Sequence, residues 1–256
     1  MERIVILKIG GSVITEKDKP LTPRKEGIQV IAQAIAEYGK PLVIVHGAGS
    51  FGHFLAKQHG LSRKPSSAKP GAISEIRASV LKLNSMVVDA IQSKGVSVHW
   101  LQPYVFYKDK RSREKLVPLL MNLIEKGVSP LSFGDVIPTE DGFKIISGDA
   151  IVRDIASLLK PSRVVFATNV DGIYRNFGTE KKPMQEISAE DIKGLAFRPV
   201  RDDVTGGMEG KLGEAVRIAE IGIDVLFTNG LKKERLMKAL KGKDPAGTLI
   251  KGKVVA

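Results

Sequence analysis

The sequence predicts an α/β protein: a three-layer αβα sandwich around a mostly parallel central sheet. Two observations carry this. Short Val- and Ile-rich runs alternate with segments of helical periodicity along the whole chain. Those runs are apolar at consecutive positions, as in strands covered by helices on both faces.

Residues 3–9 (RIVILKI) read as a buried strand that ends in Gly10-Gly11-Ser12. Thr22 and Pro23 suit the cap and first position of a helix reaching Tyr38. A second strand, 41–46, runs into Gly47-Ala48-Gly49-Ser50-Phe51-Gly52-His53, with a helix starting near Ser50. The stretch from Ser62 to Gly71 has Lys, Ser and two prolines and reads as a mobile loop. Ile76, Val80, Leu83, Val87 and Ile91 then follow helical spacing, in a helix spanning about 72–94. A strand at 96–101 and a helix at 112–127 come next. Residues 129–146 suggest short strands with a hairpin turn at Glu140-Asp141-Gly142. Ser147 can cap a helix to Leu159, and Arg163 to Thr168 is another buried strand. A helix at 208–221, a strand at 223–228, a short helix at 232–240 and a final strand at 247–251 complete the pattern. A soft division near residue 147 separates residues 1–146 from 147–256, although one continuous sheet could make them a single domain.

Composition narrows the class. Hydrophobic content of 43% and charged content of 27% are ordinary for a soluble globular protein. With no cysteine, thiol catalysis, disulfides and cysteine-ligated zinc are excluded. No leader pattern is read at Met1-Glu2-Arg3 and no apolar run is long enough to span a bilayer, so a cytoplasmic enzyme without membrane partners is expected. The net charge of +12 has its densest patch at Lys108, Lys110, Arg111, Arg113 and Lys115. Aromatic content is only 5% and no nucleic-acid-binding pattern is present. The charge is therefore read as a solvated lysine-rich surface plus a positive cleft for a polyanionic substrate, with no nucleic-acid partner.

Gly47 to Gly52 matches G-x-G-x-x-G between a strand and a helix. A dinucleotide site would need a second strand ending in an acid about 20 residues on. Here that region is the loop SRKPSSAKPG, with Glu75 beyond it inside a helix. A P-loop fails as well: around Gly210-Lys211, the positions that require Gly and Ser or Thr hold Thr205 and Leu212. Glycine turns at helix starts remain natural anion sites, because the backbone can approach closely and the first N–H groups are free.

The ordered set Lys8-Ile9-Gly10-Gly11-Ser12, His46-Gly47-Ala48-Gly49-Ser50, Ser147-Gly148-Asp149, Thr168-Asn169-Val170-Asp171-Gly172 and Thr205-Gly206-Gly207-Met208-Glu209-Gly210-Lys211 resembles the amino acid kinase family. The resemblance covers the chain from Lys8 to Asn229 and implies that family's fold. KIGGSVIT and HGAGSFGH further resemble its archaeal-type isopentenyl phosphate kinases, where a histidine at the position of His53 binds the substrate phosphate. Fosfomycin kinase shares that histidine, so a phosphonate acceptor stays open, as does a small carboxylate.

The resemblance implies ATP-dependent phosphoryl transfer to isopentenyl phosphate, with ATP and Mg²⁺ bound and a homodimer as the assembly. No metal-ligating residues are assigned, since Mg²⁺ often bridges phosphates with few protein ligands. It implies catalytic roles for Lys8, Lys17, His53, Asp149 and Lys211, with Asp149 orienting the two lysines. Gly47, Ala48, Gly49, Ser50, Gly52 and His53 would hold the acceptor in the first lobe. Lys8, Gly10, Gly11, Ser12, Thr168, Asn169, Asp171, Gly172, Gly206, Gly207 and Lys211 would hold the nucleotide, chiefly on the second. His46, ending a buried strand, reads as structural. For an apolar acceptor tail, the helix stripe from Ile76 to Ile91 is read as core, and the flanking Ala72, Ser79 and Met86 have two readings, the wall of a small pocket or an ordinary helix face. A nucleotide-binding regulator without turnover is the competing reading from another class.

Overall fold

The structure is a computed structural model that describes residues 4–61, 69–175, 182–188, 192, 207–243 and 247–253. Its centre is an eight-stranded sheet built from β1 (Val5–Ile9), β2 (Val43–His46), β3 (Val98–Trp100), β4 (Ser129–Phe133), β7 (Arg163–Thr168), β8 (Glu186–Ile187), β9 (Asp224–Asn229) and β10 (Gly247–Ile250). The order is β3-β4-β2-β1-β7-β9-β10-β8, parallel throughout except for β10 against β9. Strands β5 (Asp135–Thr139) and β6 (Gly142–Ile146) form the expected antiparallel hairpin beside it.

The alternation of side chains along a strand divides the core in two. Val5, Leu7 and Ile9 pack with α2 (Lys25–Tyr38), α4 (Pro70–Gln92) and α10 (Lys233–Lys241) on one face. Ile6, Val43 and Val45 pack with α8 (Gly148–Leu159) and α9 (Gly207–Glu220) on the other. Lys8 therefore falls on the α8–α9 face, and His46, in step with Ile44, on the α4 face. Register brings Ile9 beside His46 and Ala167, so the turns after β1, β2 and β7 meet at one edge. That is where ligands bind in open parallel sheets. Because β7 pairs directly with β1, one sheet runs through both halves of the chain.

Most expected elements occur within a residue or two. Arg163–Thr168 is a strand as read, and the Ser147 hydroxyl accepts the Ala150 N–H at the start of α8. Three expectations need correction. The helix expected from Pro23 starts at Lys25, because Thr15 and Pro23 pair as an isolated bridge that keeps Pro23 extended. A one-turn helix, α1 (Gly11–Ile14), follows β1, where the sequence pattern predicts only a glycine turn. A one-turn helix, α5 (Tyr104–Tyr107), comes first, and the single helix expected at 112–127 is two pieces, α6 (Lys110–Glu114) and α7 (Leu116–Glu125). Pro118 supplies the reason for the break between the last two: it has no N–H and its ring would clash with the carbonyl of Glu114 in a continuous helix. The loop expected at Ser62–Gly71 lies outside the described residues as far as residue 68, and α4 begins at Pro70. No helix among the described residues is long and apolar enough to cross a membrane.

Candidate active site

A cleft of about 870 Å³ opens at the edge where the strands end. Its charged end is built around β1. Lys8 points toward α8 and α9, and its Nζ lies 2.6 Å from Asp149 Oδ1. Asp149 sits in the first turn of α8, and its other oxygen accepts from Lys211 Nζ on α9 at 3.0 Å. Lys8 is 3% and Asp149 4% exposed. Burial, reinforced by the charge of Lys211 and opposed by Asp149, pushes the Lys8 ammonium down to about 8. Burial alone would favour a neutral Asp149; the charges of Lys211 and Lys8 outweigh it and hold the carboxyl well below the usual carboxylate range. Two cations share one anion, so the group carries excess positive charge in a poorly solvated place. An incoming polyanion compensates it.

A second pair holds α9 in register. One turn further along both helices, Arg153 Nη1 meets Glu214 Oε2 at 2.8 Å, with the order of acid and base reversed. Arg153 also binds Asp154 at 2.7 Å, and Asp154 accepts the Tyr107 hydroxyl at 2.7 Å.

The next wall is two interlocked glycine turns. Gly10 N–H donates to Ala167 O and Gly47 N–H to Ile9 O. A Cβ on Gly11 would stand 2.6 Å from Gly49 Cα, so these turns touch backbone to backbone. Gly49, with φ of +52°, is in the left-handed region and opens α3 (Gly49–Gln58). Gly11→Ala must push the turns apart, and is expected to cost about 1–3 kcal/mol as overpacking does. A lowered urea midpoint together with reduced turnover checks this.

Ser50 lies in the first turn of α3. Its Oγ is buried without a protein hydrogen-bond partner among the described residues, and the residue lines the cleft. His53, the fifth residue of α3, is half-buried and also faces the cleft. It falls on the second turn of α3, directly after Gly52. His46 is the buried structural residue expected: its ring nitrogens contact Gly47 O at 3.0 Å and Asn84 Oδ1 at 3.2 Å, and it stacks on Phe133. Burial lowers its pKa.

Beyond the glycines the cleft becomes apolar, lined by Ala56, Ile76, Val80, Val136, Ile145 and Ile146. This corrects the reading of Ala72, Ser79 and Met86 as the wall. Ser79 is buried with its hydroxyl donating to Phe51 O at 2.8 Å, Ala72 is buried, and Met86 is exposed; none of the three lines the cleft. α4 packs on α3 through the stripe read as core, so Ile76 and Val80 serve both packing and cleft.

Of the remaining expected residues, Lys17 lies on the exposed loop after α1 and lines the rim. Gly47, Ala48, Gly52, Ser12, Thr168, Asn169 and Gly207 all line the cleft, and Ser12 Oγ donates to Asn169 Oδ1 at 3.1 Å. Asp171 and Gly172 do not line it. Asp171 instead accepts from Asn229 Nδ2 at 2.7 Å and Lys232 Nζ at 2.9 Å, tying the turn after β7 to the turn after β9. Gly172 packs under Thr248. Gly206 lies outside the described residues.

Sequence reading missed Thr15, Gly134 and Asp135, all of which line the cleft. Asp135 follows a strand end and a glycine, which is the signal used elsewhere in the chain. Burial raises its pKa, and Arg77 Nε at 3.3 Å opposes that rise.

The geometry sets a surplus of positive charge and two glycine turns at a sheet edge beside an apolar recess. The profile of the amino acid kinase family matches residues 3–229, and the chain belongs to that family. Among its relatives, an isopentenyl phosphate kinase from Methanothermobacter thermautotrophicus is 33% identical over 98% of this chain and 100% of that protein. One from Thermoplasma acidophilum is 35% identical over 91% of this chain and 94% of its own. A solved isopentenyl phosphate kinase substrate complex superposes with a TM-score of 0.78 at 31% identity, covering 97% of this chain and 100% of that one.

Proposed function

We propose that this protein transfers the γ-phosphoryl group of ATP to isopentenyl phosphate, giving isopentenyl diphosphate and ADP for isoprenoid biosynthesis. One observation carries the reading. A single cleft joins a buried cationic group (Lys8, Lys211 and their shared Asp149), a glycine-built helix start bearing His53, and an apolar recess about Ile76 and Val80. That sequence of environments matches a phosphate donor, a phosphate acceptor and a short hydrocarbon tail.

The acceptor oxygen is already ionised at neutral pH, so the site needs positioning and charge neutralisation more than a general base. Lys8 and Lys211 draw charge from the transferring phosphoryl, and Asp149 keeps them side by side. Gly10 and Gly11 let the donor approach the backbone, and Lys17 reaches it from the rim. Gly47 to Gly52 and the Ser50 hydroxyl cradle the acceptor phosphate, and the His53 ring donates to it. The nucleotide lies over Thr168 and Asn169, with Asp171 and Gly172 shaping the turn beneath. The first lobe thus holds the acceptor and, through Lys8, Gly10, Gly11 and Lys17, the donor phosphates, while the second holds the rest of the nucleotide.

Mg²⁺ accompanies ATP. The two carboxylates deepest in the cleft are engaged by cations, Asp149 by lysines and Asp135 by Arg77. Among the described residues no group of three or more His, Cys, Asp or Glu is arranged for a metal. This donor set suits an ion held mainly by the nucleotide phosphates, where it supplies charge neutralisation. A cytoplasmic homodimer is the assembly we assign.

Within the same family, a phosphonate such as fosfomycin or a small carboxylate is the alternative acceptor; the apolar recess favours the isoprenoid. The intact Lys8–Asp149–Lys211 group favours turnover over a regulatory role. A coupled ADP-release assay across isopentenyl phosphate, fosfomycin, glutamate and UMP tests this. Isopentenyl phosphate is expected to give the highest kcat/KM; another acceptor ahead of it, or no turnover with any, contradicts the proposal.

A further inference from the structure

Thr15 closes α1 and is fully buried, yet its hydroxyl touches both glycine turns. Oγ1 donates to Gly11 O at 2.9 Å and accepts the Ser50 N–H at 3.0 Å. The Thr15 N–H also donates to Gly11 O, at 2.8 Å, so the residue is anchored to the first turn before it reaches the second. Gly49 is shaped around it: a Cβ there would lie within 2.3 Å of Thr15 Oγ1. The backbone contact of Gly11 on Gly49 limits how close the turn serving the donor and the turn serving the acceptor can come, and this one side chain, bonded to both, keeps them from parting.

It also divides the hydrogen-bonding groups at the start of α3. The Ser50 N–H is one of the helix's free first-turn donors. Thr15 takes it, whereas Ser50 Oγ has no protein partner among the described residues and lies at the cleft. The acceptor then meets the hydroxyl, not that amide.

We propose that Thr15 is a positioning residue for phosphoryl transfer: its hydroxyl fixes the separation of the two glycine turns and with it the distance between transferring phosphorus and acceptor oxygen. This rests on the function proposed above. In-line transfer requires reacting atoms roughly 3–3.5 Å apart, and a displacement of about 1 Å can cost about 10²-fold in rate. Each substrate binds largely to its own turn, so the loss falls on kcat rather than on the separate affinities.

The test compares Thr15→Ser with Thr15→Ala, which both lack the γ-methyl and differ only in the hydroxyl. Thr15→Ser is expected to keep kcat within about threefold of the parent, and Thr15→Ala to lose about 10²-fold. Dissociation constants for ATP and for isopentenyl phosphate, each measured alone, stay within about threefold in both. Equal kcat values in the two variants overturn the proposal. So does a loss of affinity for either single substrate as large as the loss in kcat. Thermal melts of both variants confirm that folded protein is compared. If the parent prefers a different acceptor from the panel, the functional reading fails, and the same pair measured with that acceptor still decides the role of Thr15.

Discussion

Asp149→Asn lowers kcat by about 10²–10³-fold or more, the largest effect expected of any single substitution in the cleft. The reason lies in the geometry: Lys8 Nζ at 2.6 Å and Lys211 Nζ at 3.0 Å share one buried carboxylate. Two like charges about 4 Å apart repel by on the order of 4 kcal/mol at an effective dielectric of about 20. With asparagine between them, the lysines separate or one releases its proton, and either outcome removes charge from the transferring phosphoryl. Breaking a buried pair by removing one partner typically costs about 3–5 kcal/mol, so the urea midpoint also falls.

The same group predicts a pH signature. Lys8 titrates at about 8 in the free protein, chiefly through burial. Its charge is present below that pH and lost above it, so kcat/KM for ATP falls as pH rises through about 8. The carboxylate favours the charged lysine and Lys211 disfavours it. Asp149→Asn therefore moves the fall to lower pH, and Lys211→Met moves it higher. A pH profile of kcat/KM for the three proteins checks the signs.

His53→Ala is expected to lower kcat/KM for the acceptor by about 10²–10³-fold while KM for ATP changes by less than about threefold. His53 faces the cleft from α3, the helix opened by the turn proposed to hold the acceptor. Its proposed partner is a phosphate oxygen, and hydrogen bonds to charged groups are worth about 1.5–3 kcal/mol net. His53→Gln retains a neutral donor and should recover part of the loss. Acceptor kinetics close to the parent's in His53→Ala would remove the histidine from the mechanism. Circular dichroism and ATP affinity serve as controls for the fold.

Much of this was readable from the sequence because local chemistry and fold agreed. The glycine turns, the Ser147 cap and the strand at Arg163–Thr168 each carry their own signal within a few residues. Lys8 was pointed out by the resemblance of Lys8-Ile9-Gly10-Gly11-Ser12, and strand alternation places it toward Asp149. Other features were not local. Whether Ile76 faces core or cleft depends on how α4 packs on α3, and helical periodicity is the same in both cases. Asp171 follows a strand end like the residues that do line the cleft, yet Asn229 and Lys232 from a distant turn capture it. Thr15 looked like an ordinary residue ending a glycine motif, and its role comes from Ser50, 35 positions away. Pro118 was visible in the sequence, but apolar spacing on both sides masked the break it imposes.

The most direct test of the central claim is to follow the reaction by ³¹P NMR with ATP, Mg²⁺ and isopentenyl phosphate. The account predicts that the acceptor's single phosphomonoester resonance is replaced by two mutually coupled diphosphate resonances, with one ADP formed for each acceptor consumed. ATP converted to ADP and inorganic phosphate, with the isopentenyl phosphate resonance unchanged, would contradict it.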